Sequence, residues 1–381
     1  MSLPPELHNG RLYNRRPIVR ALILVAVGTT VIYSFCCILT RPLSSKQVHS
    51  RFSSLVVFGD SYSDNGHNAS DPFRNPIYAG LGNASTGILW PNLLRKKLSA
   101  DTEVQLYDYA YNGAHANEKL TDLGQHIPDT RTQKSYYISD LASGKVSHKG
   151  QEVLYVLWVG INPLDAIWID ACDPDRNNGT GAQYPSDPPF LNATTRVQRQ
   201  IEEVYYQIAD LRNATAANDF LIVGVPNITI APLQRGFARD WAKCDTKKGE
   251  NVLKLLGLLI EQYNSGLISK FSQIQSNNDA IGGFMKVYDV SKIWNSVIQS
   301  PQKYGIENVS DVCYNNNTPC SDIDKYFFWD YLHPTPTVEK IIAQDMFEFI
   351  ENQPSQNHDE HYIIMSDQLL KSATTNQIIL T

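Results

Sequence analysis

The chain has 381 residues, 42% hydrophobic and 19% charged, with a formal net charge of −6. That length and composition support one sizeable core. A mildly acidic chain without a basic stripe is not expected to bind nucleic acid, and no internal repeat or long low-complexity tract points to an array. Residues 1–20 are polar and carry Arg11, Arg15, Arg16 and Arg20. Ala21 to Thr40 then runs without a charge and ends at Arg41. About 20 apolar residues cross the hydrocarbon core of a bilayer. A cleaved signal peptide usually has a shorter apolar region and a small-residue cleavage site, and Ser34-Phe35-Cys36-Cys37 offers no such site. Residues 21–40 are therefore read as a membrane anchor, with Cys36 and Cys37 as apolar filler or acylation sites. The arginine cluster makes residues 1–20 a cytosolic tail, and residues 41–51 a polar stalk. The alternative is a secreted protein with a cleaved leader.

Residues 52–352 read as the folded domain. Leu55–Phe58 is a short apolar run of β-formers and predicts the first strand. The stretch Asn65–Gly87, rich in Gly, Asn and Pro, predicts a loop. A helix follows from about Leu89, with Leu93, Leu94 and Leu98 on one face. Val104–Ala110, Glu152–Val159, Asp219–Val225 and Phe284–Val290 predict four more strands. Val197, Ile201, Val204, Tyr205, Ile208 and Leu211 recur at helical spacing, and Leu253–Phe271 marks another helix. Continuous apolar strands suit a parallel sheet buried on both faces. Strands alternating with helices predict a three-layer α/β domain. The segment Ala171–Thr195 is polar and reads as a loop. Residues 353–381 are a polar tail, in which His358 and His361 are expected to be solvated.

Sequons of the form Asn-x-Ser/Thr occur at Asn68, Asn83, Asn178, Asn192, Asn213, Asn227, Asn308 and Asn316. All lie after the uncharged run, so the domain is expected in the lumen of the secretory route or outside the cell, as a glycoprotein. Beyond the anchor the cysteines are Cys172, Cys244, Cys313 and Cys320, an even number that fits two disulfides in an oxidising compartment. Cys313–Cys320 would close a short loop, leaving Cys172–Cys244 as the other pair; free or differently paired thiols are the alternative. No Cys-x-x-Cys occurs, so no metal and no cofactor is expected.

Two stretches carry candidate chemistry. Phe58-Gly59-Asp60-Ser61-Tyr62-Ser63-Asp64-Asn65 puts a serine directly after the first strand, where ligand sites of open α/β sheets sit. Ser61 is a candidate nucleophile, or else a helix cap. Phe327-Phe328-Trp329-Asp330-Tyr331-Leu332-His333-Pro334-Thr335 places a carboxylate and an imidazole three apart. They could serve as orienter and base; the alternative is a helix start with Pro334 at its first position.

Together these stretches resemble the SGNH, or GDSL, esterase/lipase family. Asp108-Tyr109-Ala110-Tyr111-Asn112-Gly113-Ala114 resembles its glycine block, and Trp158-Val159-Gly160-Ile161-Asn162 its Gly-x-Asn block. The likeness covers roughly residues 52–350. It is nearest to fungal acetylesterases, through Phe-Gly-Asp-Ser-Tyr, Trp90-Pro91 and Phe-Trp-Asp-x-x-His-Pro-Thr. The resemblance implies an α/β/α flavodoxin-like fold with a five-stranded parallel sheet, and a serine esterase in which Ser61, His333 and Asp330 are catalytic. It also implies an oxyanion hole made by the backbone N–H groups of Ser61 and Gly113 and the side-chain amide of Asn162. Where the family often has two glycines in its second block, Asn112 replaces the first. Where the third block usually continues Asn-Asp, Pro163 follows Asn162, with Asp165 two residues further on. These departures bear on the shape of the oxyanion loops, and no Gly-x-Ser-x-Gly elbow surrounds Ser61. The implied substrate is a short acyl ester, acetate first, on a small molecule or oligosaccharide. Trp90 is either core or a stacking surface for a sugar ring, and Trp329 is a second candidate surface. The other readings are a sugar O-acetyltransferase, a lipid esterase with the same site, and an inactive anchored carbohydrate-binding protein.

Overall fold

The computed structural model describes residues 51–66, 87–99, 102–121, 127–148, 152–243, 245–279 and 283–352. They belong to the compact unit Ser50–Thr381. The expected tail, anchor and most of the stalk fall at residues 1–50, and the polar tail at 353–381, all outside the described residues. Among the described residues no helix is long and apolar enough to cross a membrane.

Strands β1 (Ser54–Gly59), β2 (Gln105–Asp108), β3 (Val153–Trp158), β4 (Phe220–Val223) and β5 (Met285–Tyr288) form one parallel sheet in the order β2-β1-β3-β4-β5. This is the flavodoxin-like order. Leu55 of β1 is aligned with Leu106 on one side and Leu154 on the other. Every residue of β1 and β4 is buried, because a parallel strand inside a sheet is covered on both faces. The edge strands β2 and β5 are only half buried, and there Gln105 and Lys286 are admitted.

Among the described residues eight helices follow in the gaps: α1 (Trp90–Leu98), α2 (Thr130–Ala142), α3 (Ile161–Cys172), α4 (Pro188–Thr215), α5 (Pro232–Trp241), α6 (Thr246–Asp279), α7 (Val290–Gln299) and α8 (Pro336–Glu351). Helices α1, α7 and α8 pack in one group; α3, α4 and α6 pack in another, joined by α2 and α5. The first group ties its ends together: the backbone N–H of Trp90 donates to Glu339 Oε2 at 2.9 Å, so a carboxyl of α8 caps α1, which has no cap of its own. The segment 171–195 is not a loop throughout, since Pro188 and Pro189 open α4 at the positions where proline suits a helix start.

A small lobe precedes α8. Strand β6 (Asn308–Val312) pairs in parallel with β9 (Tyr326–Phe328), and β7 (Tyr314–Asn315) with β8 (Thr318–Pro319) in a hairpin. Cys313 and Cys320 are joined by a disulfide across that hairpin. The expected Cys172–Cys244 bridge is not seen among the described residues. Cys172 is a free thiol, fully buried in the core at the end of α3, and burial pushes it up to about 12. Cys244 lies outside the described residues.

Candidate active site

Three adjacent strands deliver residues to the carboxyl edge of the sheet. β1 leads into Ser61, β2 into the turn holding Gly113, and β3 into Asn162 in the first turn of α3. The turn after β1 is sharp. A Cβ on Gly59 would collide with the carbonyl oxygen of Trp158 on β3, so only glycine allows this approach. Gln133 of α2 takes the Gly59 N–H on Oε1 at 3.0 Å and returns a donor to its carbonyl at 2.8 Å. At the end of β3, Gly160 has φ +144°, and a Cβ there would meet Val225 and Tyr263.

The Asp330–His333 turn leaves β9 and is closed on itself. The Trp329 N–H donates to the His333 carbonyl at 2.8 Å, and the Thr335 N–H to that of Phe327 at 2.9 Å. Helix α8 starts only at Pro336, with Thr335 as its cap residue. Asp330 and His333 therefore lie ahead of the helix rather than in its first turn, and Pro334 is not its first residue.

The structure brings Ser61, His333 and Asp330 into a hydrogen-bonded series. His333 Nε2 is 2.7 Å from Ser61 Oγ, and His333 Nδ1 is 3.0 and 2.9 Å from the two carboxyl oxygens of Asp330. Asp330 Oδ1 also accepts the N–H groups of Leu332 at 2.8 Å and His333 at 2.7 Å. Burial alone would raise the Asp330 carboxyl. The hydrogen bond from His333, its charge and these two backbone donors outweigh burial and hold Asp330 below its ordinary value. An ionised Asp330 assigns the imidazole proton to Nδ1, which leaves Nε2 free to accept from the serine hydroxyl.

Gly113 has φ +81° in the turn after β2, the left-handed region that favours glycine. The N–H groups of Ser61 and Gly113 have no hydrogen-bond acceptor among the described residues. Asn162 donates one hydrogen from Nδ2 to the Ala114 carbonyl at 3.0 Å, which ties it to the glycine turn and leaves its second N–H available. One turn further along α3, Asp165 accepts from Gln234 at 2.9 Å, and burial pushes its carboxyl up to about 6.

The two tryptophans fare differently. Trp90 is 0% exposed and packs on Trp158 in the core, which removes it as a stacking surface. Trp329 is half-buried and stacked on Tyr314 of the hairpin, with ring centroids 4.8 Å apart.

Several residues at the site carry no mark of their own in the sequence. The Tyr62 hydroxyl donates to the Leu332 carbonyl at 2.7 Å, and its ring lies 5.4 Å from that of His333. Asp60 accepts from the Tyr62 N–H, and burial pushes it up to about 7. Asp64 reaches the glycine turn. The one signal for them is position: all three sit within the motif that carries Ser61. No cluster of His, Cys, Asp or Glu suited to a metal ion occurs among the described residues.

A parallel α/β sheet whose carboxyl edge assembles serine, imidazole and carboxylate in series has the groups needed for acyl transfer through a serine. Residues 55–346 match the GDSL-like Lipase/Acylhydrolase family, and the chain belongs to that family as a carboxylic ester hydrolase. Among its relatives is an acetylesterase of Hypocrea jecorina, 25% identical over 85% of this chain and 96% of the relative. A GDSL esterase/lipase of Arabidopsis thaliana is 30% identical over 74% of this chain and 73% of its own length. A thermolabile hemolysin of Vibrio parahaemolyticus is 23% identical over 79% of this chain, which spans 65% of the hemolysin's length.

Proposed function

We propose that this esterase removes short acyl groups, acetate first, from carbohydrate hydroxyls. The carrying observation is the series from Ser61 Oγ through His333 to Asp330, at 2.7 and 2.9 Å. In this reading Ser61 Oγ attacks the acyl carbon while His333 Nε2 takes its proton. The negative charge of the tetrahedral intermediate falls on an oxygen held by the N–H groups of Ser61 and Gly113 and by the free N–H of Asn162. Such donors contribute roughly 3 kcal/mol each when aimed at the developing charge. His333 then returns the proton to the departing sugar oxygen, and water repeats the sequence on the acyl-enzyme. Asp330 holds the tautomer and stabilises the imidazolium throughout.

The acetyl preference is supported by the likeness to the Hypocrea jecorina acetylesterase. The carbohydrate preference is supported by Trp329, the residue before Asp330, whose half-buried indole is stacked on Tyr314. The uncharged run Ala21–Thr40 and the sequons beyond it support a catalytic unit on the lumenal or outer side of a membrane, anchored there or secreted. The test compares acetylated xylo- or gluco-oligosaccharides with a series of acyl chains on one chromogenic leaving group. Deacetylation of the sugars, with rates falling as the acyl chain lengthens, is expected. Rates that climb from acetate to octanoate, with acetylated sugars untouched, overturn the proposal in favour of a lipid esterase.

A further inference from the structure

Asp64 lies three residues after Ser61 in the same turn and is only 2% exposed. Its backbone N–H donates to the Asp60 carbonyl at 3.0 Å, which anchors it to the nucleophile turn. Its side chain looks the other way along the chain. Oδ1 takes the Gly66 N–H at 2.9 Å, and Oδ2 takes the Asn112 N–H at 2.8 Å. Asn112 is the residue immediately before Gly113, at the position where the second family block departs from its usual glycine.

We propose that Asp64 is a positioning residue that sets the oxyanion turn against the nucleophile. The inference rests on the reading of Ser61 as nucleophile and Gly113 as oxyanion donor. A glycine at positive φ has no side chain to fix its own peptide plane. The direction of the Gly113 N–H is therefore governed by the peptide that precedes it. A carboxylate bonded to the Asn112 N–H holds the 111–112 peptide, next to the one that carries the Gly113 N–H, from the side of Ser61. Hydrogen bonds to a charged acceptor are about twice as strong as neutral ones, and here one end of the bond belongs to the turn that presents the serine. Neighbouring contacts repeat the stitch. Asn65 Nδ2 donates to Asp108 at the end of β2, Asp108 Oδ1 accepts the Ala110 N–H at 3.0 Å, and the Tyr111 N–H donates to the Gly59 carbonyl at 3.1 Å. Asn92 of α1 holds Asn65 in turn, at 2.6 Å. Nucleophile turn and oxyanion turn thus move as one body, and Asp64 is the link that bears directly on the residue before Gly113.

Asp64→Asn keeps the shape of the side chain but removes its charge and leaves one acceptor for the Gly66 and Asn112 N–H groups, so the bond to Asn112 is weakened or lost. On a small chromogenic acetate it is expected to lower kcat by roughly 10- to 100-fold, with KM within about twofold of wild type. The affinity for a boronic acid, whose tetrahedral adduct places an oxygen in the oxyanion site, should fall in parallel with kcat. The pH dependence of the rate should be unchanged, because His333 and Asp330 are untouched. A fluorophosphonate should label Ser61 more slowly but to the same final stoichiometry as wild type, which counts folded sites. If Asp64→Asn does not fold, Asp64→Glu serves, since it keeps the charge but shifts both acceptors by a methylene; the same kcat-only loss is expected. Wild-type kcat and boronate affinity in a folded Asp64 variant, or a rise in KM alone, overturn the proposal. Ser61→Ala run alongside separates the two readings: activity surviving there refutes the nucleophile assignment itself.

Discussion

Glu339 gives the sharpest quantitative expectation. It is 1% exposed in the first turn of α8 and accepts the Trp90 N–H. Burial raises its carboxyl from 4.5 to about 8, against the lowering effect of that hydrogen bond. The folded protein therefore holds the proton more tightly than the unfolded chain does. The contribution to stability is complete below pH 4.5, is lost as pH rises towards 8, and levels off above it. Every tenfold gain in proton affinity on folding is worth about 1.4 kcal/mol, so the full span amounts to about 5 kcal/mol. Between pH 5 and pH 9 the loss is about 4 kcal/mol, because the unfolded group is already mostly ionised at pH 5. Glu339→Gln leaves an oxygen for the Trp90 N–H but removes the titration. Denaturant unfolding of the catalytic unit across that pH range should give a difference curve between variant and wild type. The variant should gain about 4 kcal/mol relative to wild type on going from pH 5 to pH 9, roughly 8 °C in Tm. Asp60 and Asp165, raised by burial to about 7 and about 6, tilt the wild-type curve the same way and cancel in the difference. A flat difference curve would refute the reasoning, since it would mean that Glu339 is not desolvated.

Further outcomes follow from the site. Ser61→Ala and His333→Ala should each remove nearly all esterase activity, and the double variant should be no worse than either, because the groups act as a unit; additive losses in single-turnover kinetics would contradict this. Asn162→Ala should lower kcat by about 10²–10³ with KM little changed; a KM effect alone would make Asn162 a substrate contact. Peptide mass spectrometry of protein made in a secretory host should find glycans at the exposed Asn178, Asn192, Asn213 and Asn316. Asn227 and Asn308 should be poorly occupied, since each is half-buried with its amide donating to Asn295 and Asp311 respectively; full occupancy there would contradict the observed packing.

The sheet was legible because its inner strands are continuous apolar runs that no amphipathic helix would show. Leu55–Phe58 and Phe220–Val223 are such runs, and each is buried along its whole length. The small lobe was not legible. β6 and β9 are only five and three residues long, and no residue of β6 is fully buried, so neither burial nor alternation marks it. The four motifs carried the residues that meet at the candidate site, because serine-ester chemistry restricts residue type. Residues that hold them carried no such mark. Gln133 and Glu339 act through backbone groups far away in sequence, and the same residue types on a surface helix would read alike. Trp90 was ambiguous for a related reason: tryptophan suits a core and a sugar ring equally, and only its packing on Trp158 decides.

The bond between Ser61 and His333 joins residues 272 apart, nearly the full length of the folded unit. Loops of that length close late, after local contacts have formed. During synthesis the serine emerges first and the imidazole last, so a growing chain carries no activated nucleophile. The turn that brings His333 is attached to the Cys313–Cys320 hairpin through the Cys313 N–H on Phe328 and the Tyr314 N–H on Trp329. In the proposed mechanism Ser61 thus becomes reactive only when the C-terminal lobe has docked beside the sheet. Its labelling by an active-site probe is consequently a clock for the completion of folding, and it starts only when the most distant contact at the site has been made.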